Sequence, residues 1–323
     1  MEIVAPGEYL RAFYYKVTFN YNSQIVNLKK TIGAALFIYL LVLSACEGGV
    51  DRLYQQMSII DAHAHIRTDD PAVMEFARSE GFKFVTINSG ASSQEHIDMQ
   101  MHFGKDVKSR YPDVIIYITT FSMVNFEEKG WAENVIIQLK SDFESGADGV
   151  KVWKDIGMTF RDSLGELILI DDPLFDPIFE YVASEGKTVV AHIGEPRNNL
   201  LAKHPDLKLV GAHFGSLEWN VDGLAKRLDR YPNFAVYMAA RVCHLQVQNR
   251  EKVRDFISKY QDRLLYATDL VISADDDMEQ RISWLKNEWR PDCPRASLPV
   301  KKSFSSGRTV PVILLSEGPI CPI

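Results

Sequence analysis

Residues 188–193 read Thr-Val-Val-Ala-His-Ile, and residues 207–213 read Leu-Lys-Leu-Val-Gly-Ala-His. Both are short apolar runs rich in β-branched residues, the pattern of a strand buried on both faces of a parallel sheet. Both end at a histidine. Six more runs of this kind lie outward along the chain, at 58–63, 83–88, 114–119, 149–153, 234–239 and 264–269. Helix-period segments separate them. At 174–185, Leu174, Ile178, Phe179, Val182 and Ala183 share one face and Gly186 stops the helix. Residues 219–230, 249–260 and 275–289 repeat the pattern with charges on the outer face. Eight strands, each followed by a helical or loop connection, predict an α/β protein with a (β/α)8 barrel over residues 57–289. A doubly wound sheet is the alternative, but no Gly-x-Gly-x-x-Gly follows any strand.

Composition agrees with a folded enzyme-sized chain. Of 323 residues, 46% are hydrophobic and 24% charged, with a mean hydropathy of −0.12, values that exclude disorder, collagen-like repeats and a polytopic membrane protein. The formal charge of −7, without long basic runs, argues against nucleic acid as a partner, since that binding depends on neutralising phosphates. Cys46, Cys243, Cys293 and Cys321 form neither a disulfide framework nor a zinc ribbon.

The two ends of the chain depart from the barrel pattern. Residues 31–46 are uncharged and follow Lys29-Lys30; the run is short for a spanning helix and fits a secretory signal. Leu43-Ser44-Ala45-Cys46 resembles a bacterial lipobox, which implies lipidation of Cys46. An uncleaved N-terminal anchor is the other reading. Either predicts an exported, membrane-tethered protein, periplasmic or on the cell surface. The polar and aromatic stretch ahead of Lys29 is awkward in a signal, and a translation start near Val26 would remove it. Residues 290–323 are proline-rich and net basic against an acidic body, which predicts an irregular tail.

The chemistry-bearing residues stand at strand C-termini, where barrel enzymes hold their sites. The first strand ends Asp61-Ala62-His63-Ala64-His65, and residues two apart on a strand point to the same side. The fifth ends at His192, the sixth at His213, the eighth at Asp269. A lone His-x-His is more often structural than ligating. Four histidines and an aspartate at one end of four strands predict a site for a divalent ion, with zinc, manganese and iron all suited to imidazole and carboxylate.

With Gly211-Ala212-His213-Phe214-Gly215 and Ala267-Thr268-Asp269 added, the chain resembles the amidohydrolase superfamily, in its amidohydrolase-related branch of lactonases and decarboxylases. The resemblance implies that His63, His65, His192 and Asp269 bind a catalytic metal. It implies that His213 binds a second metal or contacts the substrate oxygen. One or two divalent ions are expected, zinc foremost. In two-metal members a carboxylated lysine bridges the ions, and Lys151 in Gly149-Val150-Lys151-Val152-Trp153 matches that position; the alternative is a plain ammonium paired with a carboxylate.

The expected reaction is hydrolysis of an amide, ester or lactone in a small-molecule substrate, with Asp269 as base and His213 or the metal polarising the carbonyl. Metal-dependent non-oxidative decarboxylation and a non-catalytic binding lipoprotein are the alternatives. Arg241, Arg197 and Trp153 are placed to meet substrate at the mouth. A homo-oligomer is left open.

Overall fold

The computed structural model describes residues 59–88, 93–193, 199–288, 300–305 and 308–313. The signal-like segment, Cys46 and Arg197 lie outside the described residues. The fold below belongs to the unit Met57–Ile323.

Nine strands form one parallel sheet: β1 (Ile59–Arg67), β2 (Phe82–Ile87), β3 (Ile115–Thr120), β4 (Gly149–Val152), β5 (Thr188–Ala191), β6 (Lys208–Gly211), β7 (Phe234–Tyr237), β8 (Leu264–Leu265) and β9 (Leu270–Ser273). Neighbours run in sequence order from β8 back to β1, and β9 follows on the far side of β1. The eighth predicted run, 264–269, therefore holds only β8, and β9 begins just past its end. β8 pairs with β7, while β9 pairs with β1. Between them the Ala62 amide donates to Tyr266 O at 2.8 Å and the Asp269 amide donates to His63 O at 2.9 Å. The last run thus bonds the strand before it and the first strand of the sheet, closing the barrel. The break follows from Asp269, whose φ of 65° no strand residue can hold.

Helices separate the strands, and several begin on a side-chain cap. Asp70 accepts from the Ala72 amide ahead of Pro71–Ser79. Asn220 accepts from Gly223 ahead of Val221–Arg230, and Asn249 from Lys252 ahead of Arg250–Tyr260. Each supplies an acceptor for a first-turn amide that the helix leaves unpaired. Among the described residues, apolar packing includes an outer and an inner cluster. An outer core joins the sheet to its helices through residues such as Phe175, Phe179, Leu224, Leu228 and Phe256. A smaller inner one gathers Ile87, Ile118, Val190, Ala212, Tyr237 and Ala267 from strands all round the barrel. Close strand approach needs Gly149: a Cβ there would lie 2.4 Å from the Thr188 carbonyl oxygen.

Within the segment read as an irregular tail, the described residues are two short strands. Val300–Ser305 and Arg308–Ile313 pair as an antiparallel hairpin. Val300, Phe304, Thr309, Val310, Val312 and Ile313 are β-favouring residues, a local signal that the proline count hid. Among the described residues no helix is long and apolar enough to cross a membrane.

Candidate metal centre

β1 carries the first two site residues. Its register with β2 is interrupted between Asp61 and Ala64, and irregularities of this kind re-aim side chains beside active sites. The freed backbone of Ala62 and His63 bonds the last run instead. Asp61 fixes that junction. It is fully buried; one carboxylate oxygen accepts from the amides of His63 and Thr268, each at 3.1 Å. The other accepts from the Thr268 hydroxyl at 2.5 Å. Burial raises the Asp61 carboxyl to about 6, with the Thr268 hydroxyl opposing the rise.

The junction brings three ligating groups together. His63 Nε2 and His65 Nε2 lie 3.1 Å apart, and Asp269 Oδ1 lies 3.2 Å from the first and 3.5 Å from the second. The three could share one ion. His65 Nδ1 donates to the Ile87 carbonyl at 2.9 Å, so in the neutral ring Nε2 carries a bare lone pair. That lone pair points toward a carboxylate oxygen and a second imidazole nitrogen, an arrangement that repels itself unless a proton or cation lies between. Two imidazoles and a carboxylate suit a divalent ion, and a backbone-fixed tautomer is what a ligating histidine requires. Burial and then the Lys151 charge push His63 far below its usual range, which favours the neutral ligand form. Burial raises Asp269, but His65, which donates to it when its ring is protonated, and the charges of His213, His65 and Lys151 outweigh that rise, and the carboxyl is held down.

His192 and His213 form a second pair. Their Nε2 atoms lie 3.1 Å apart, and the His213 ring stands 5.7 Å from that of His63. His192 therefore lies outside the group of three and faces His213. The His213 Nδ1–H donates to Ala239 O at 2.8 Å, so its neutral ring also presents a bare Nε2. Burial lowers both histidines, His192 to about 2. The His192 Nδ1 is buried without a partner among the described residues.

Backbone strain concentrates at these strand ends. His213, Phe214, Gly215 and Ser216 all have φ between 50° and 60°, and Ala240 and Asp269 follow at 51° and 65°. Left-handed backbone costs roughly 1–2 kcal/mol for each non-glycine residue. Strain of this kind collects at functional sites because the surrounding structure enforces it. Here the fully buried Phe214 and the Arg227 guanidinium on Gly215 O, at 3.3 Å, hold the turn.

The remaining expected residues divide. Lys151 is buried in the barrel, and its Nζ donates to the Tyr237 hydroxyl at 3.4 Å. Among the described residues no carboxylate lies within ion-pair distance of it. Burial lowers Lys151 to about 7, with Asp269 opposing. Arg241 follows β7; its Nε donates to Glu218 at 3.0 Å and its Nη1 to Ala240 O at 2.9 Å. Trp153 is 6% exposed, donates to Phe121 O and packs edge-on against Phe160. It belongs to the core, because its one polar atom and its ring are both engaged there. His204 is a structural residue at the opposite end, bonded to Asp176 at 2.9 Å. His96 and His102 are exposed on the helix Gln94–Arg110.

Two residues escaped the sequence reading. Tyr237 contacts His63 Nδ1 through its hydroxyl, and Glu218 holds Arg241. The signal for Tyr237 was present as a tyrosine inside an otherwise apolar strand. Glu218 sits in an irregular stretch that carries no period.

A barrel with histidines and an aspartate at the mouth defines a class of metal-dependent enzymes. A family model described as amidohydrolase matches residues 129–296, and the chain belongs to that family. No curated protein matches it. Solved structures similar to it include a dihydroxybenzoic acid decarboxylase with bound manganese from a Polaromonas species, 13% identical over 75% of this chain and 94% of that one, TM-score 0.49. A 2,6-dihydroxybenzoate decarboxylase from Rhizobium is 12% identical over 75% and 95%, TM-score 0.46. An amidohydrolase with bound zinc from Burkholderia multivorans is 13% identical over 72% and 90%, TM-score 0.43.

The pH dependence of the Asp61 junction is testable. A carboxyl raised from 3.8 to about 6 binds its proton more tightly in the folded chain. Its contribution to stability is full below pH 4 and is lost as pH rises through about 6. In chelator-treated protein, wild type should lose denaturant stability relative to Asp61→Asn between pH 4 and 6. Parallel curves for the two proteins would contradict this account of Asp61.

Proposed function

We propose that the protein is a metal-dependent hydrolase that cleaves an amide, ester or lactone bond in a small molecule. The observation that carries this reading is the convergence of His63 Nε2, His65 Nε2 and Asp269 Oδ1 at the barrel mouth. His192 is the proposed fourth ligand, from the neighbouring pair. A divalent ion held there, zinc foremost, supplies a Lewis acid that brings the pKa of a water to about 7.

Asp269 is kept ionised by the groups around it, so it can accept the proton of the attacking water and pass it to the leaving group. His213 has its Nδ1 proton fixed on Ala239 O; in the neutral ring it can only accept at Nε2, and as an imidazolium it can donate to a developing oxyanion. For a two-ion site, Lys151 is the proposed bridge after carboxylation. An amine brought to about 7 by burial is free to react with carbon dioxide at neutral pH.

Non-oxidative decarboxylation is the second reading, and the guanidinium at the mouth favours it. The Arg241 guanidinium and the His213 ring rest on the consecutive carbonyls of Ala240 and Ala239. Glu218 engages Nε, and no hydrogen bond of Nη2 is seen among the described residues. Such a donor suits a substrate carboxylate, and Arg197, outside the described residues, is proposed from its place after the fifth predicted strand as a second substrate contact. Residues 29–46 support an exported protein tethered through Cys46 or an uncleaved anchor.

Two substitutions test the assignment. Asp269→Asn keeps a residue at ease with left-handed backbone, so turnover should vanish while the thermal midpoint changes little; retained turnover would remove Asp269 as the base. Arg241→Met should raise KM at least about tenfold with a smaller change in kcat, as loss of a charged contact costs about 1.5–3 kcal/mol. An unchanged KM would take Arg241 out of substrate binding. Carbon dioxide release, measured beside lactone and amide cleavage, separates the two reactions.

A further inference from the structure

The structure assigns Tyr237 as the positioning residue for the metal ligand His63: its buried hydroxyl selects the ring tautomer that leaves Nε2 free to ligate. The assignment rests on the metal reading of the site. Tyr237 ends β7 and is fully buried. Its ring stands edge-on to His63, with centroids 4.8 Å apart and planes at 89°, and it also packs edge-on against His213 at 5.9 Å. The hydroxyl reaches His63 Nδ1, on the far side of that ring from His65 and Asp269. The second polar contact of the hydroxyl is Lys151 Nζ at 3.4 Å.

A neutral imidazole holds one proton. For Nε2 to offer its lone pair to an ion, the proton must sit on Nδ1, which then needs an acceptor. His65 and His213 find theirs in the backbone carbonyls of Ile87 and Ala239. His63 differs, since its acceptor is a phenol, which both accepts and donates. When His63 ligates, its Nδ1–H donates to the Tyr237 oxygen. When the ion is absent, the Tyr237 O–H donates to Nδ1, and the His63 proton moves to Nε2, 3.2 Å from Asp269 Oδ1. The hydroxyl therefore satisfies His63 in both states. Without it, the ligating tautomer would bury an unpaired N–H, while the non-ligating one would keep its bond to Asp269.

The test compares zinc affinity of the full chain and of Tyr237→Phe by competition with a chromophoric chelator. Phenylalanine keeps the ring contacts, so the metal-free thermal midpoints should nearly coincide while zinc binds roughly 10–100-fold more weakly to the variant. The visible spectrum of the cobalt-substituted variant should shift with it. Equal zinc affinity in the two proteins overturns the proposal. A wild type that takes up no zinc, cobalt or manganese overturns the metal reading and this inference with it, and is seen before any variant is compared. Should the variant fail to fold, nitrogen NMR of the zinc-loaded wild type decides. A slowly exchanging proton on His63 Nδ1, close to the Tyr237 ring, is expected, and a proton on Nε2 would overturn the assignment.

Discussion

The Asp61 carboxylate holds together the two ends of the barrel. It receives the His63 amide from its own strand and both the amide and hydroxyl of Thr268, 207 residues away in the chain. Closing so long a loop is entropically expensive, and a fully buried carboxylate is costly unless each lone pair finds a donor. Three donors meet that demand. The site depends on the result, because His63 and His65 lie on one side of the clamp and Asp269 on the other. If the clamp slips, the ligands separate.

Around this junction, main-chain carbonyls decide what the imidazoles can do. Ile87 O and Ala239 O each take a ring proton, turning the opposite nitrogen toward the mouth as a bare lone pair. Left-handed backbone at His213–Ser216, Ala240 and Asp269 aims the groups that follow β6, β7 and the last run. The strain is local and is offset by the barrel packing beneath it, where Phe214, Phe234 and Val236 are fully buried. A rigid sheet thus supports a mouth whose geometry no free chain would adopt.

Much of this was legible in the sequence. Continuous apolar runs gave strand positions within a few residues, because strands buried on both faces leave no room for polar alternation. His63, His65, His192, His213 and Asp269 were visible as polar residues where such runs end. Their grouping was not visible: a strand-end position does not say that His192 turns to His213 while Asp269 turns to β1. The ninth strand was hidden as well, since the predicted run ends at Asp269 and only the left-handed backbone there separates Leu264–Leu265 from Leu270–Ser273. Trp153 was misjudged because an aromatic residue at a strand end looks the same whether it faces solvent or a neighbouring phenylalanine. Tyr237 was passed over because a strand pattern weighs its ring and not its hydroxyl.

The central claim is that His63, His65 and Asp269 hold a divalent ion. Elemental metal analysis of the purified protein, beside a His63→Ala, His65→Ala double variant, tests it most directly. The account predicts about one or two equivalents of divalent metal per chain in the wild type, lost in a double variant that still unfolds cooperatively. A folded wild type that carries no metal and takes up none on addition would contradict it.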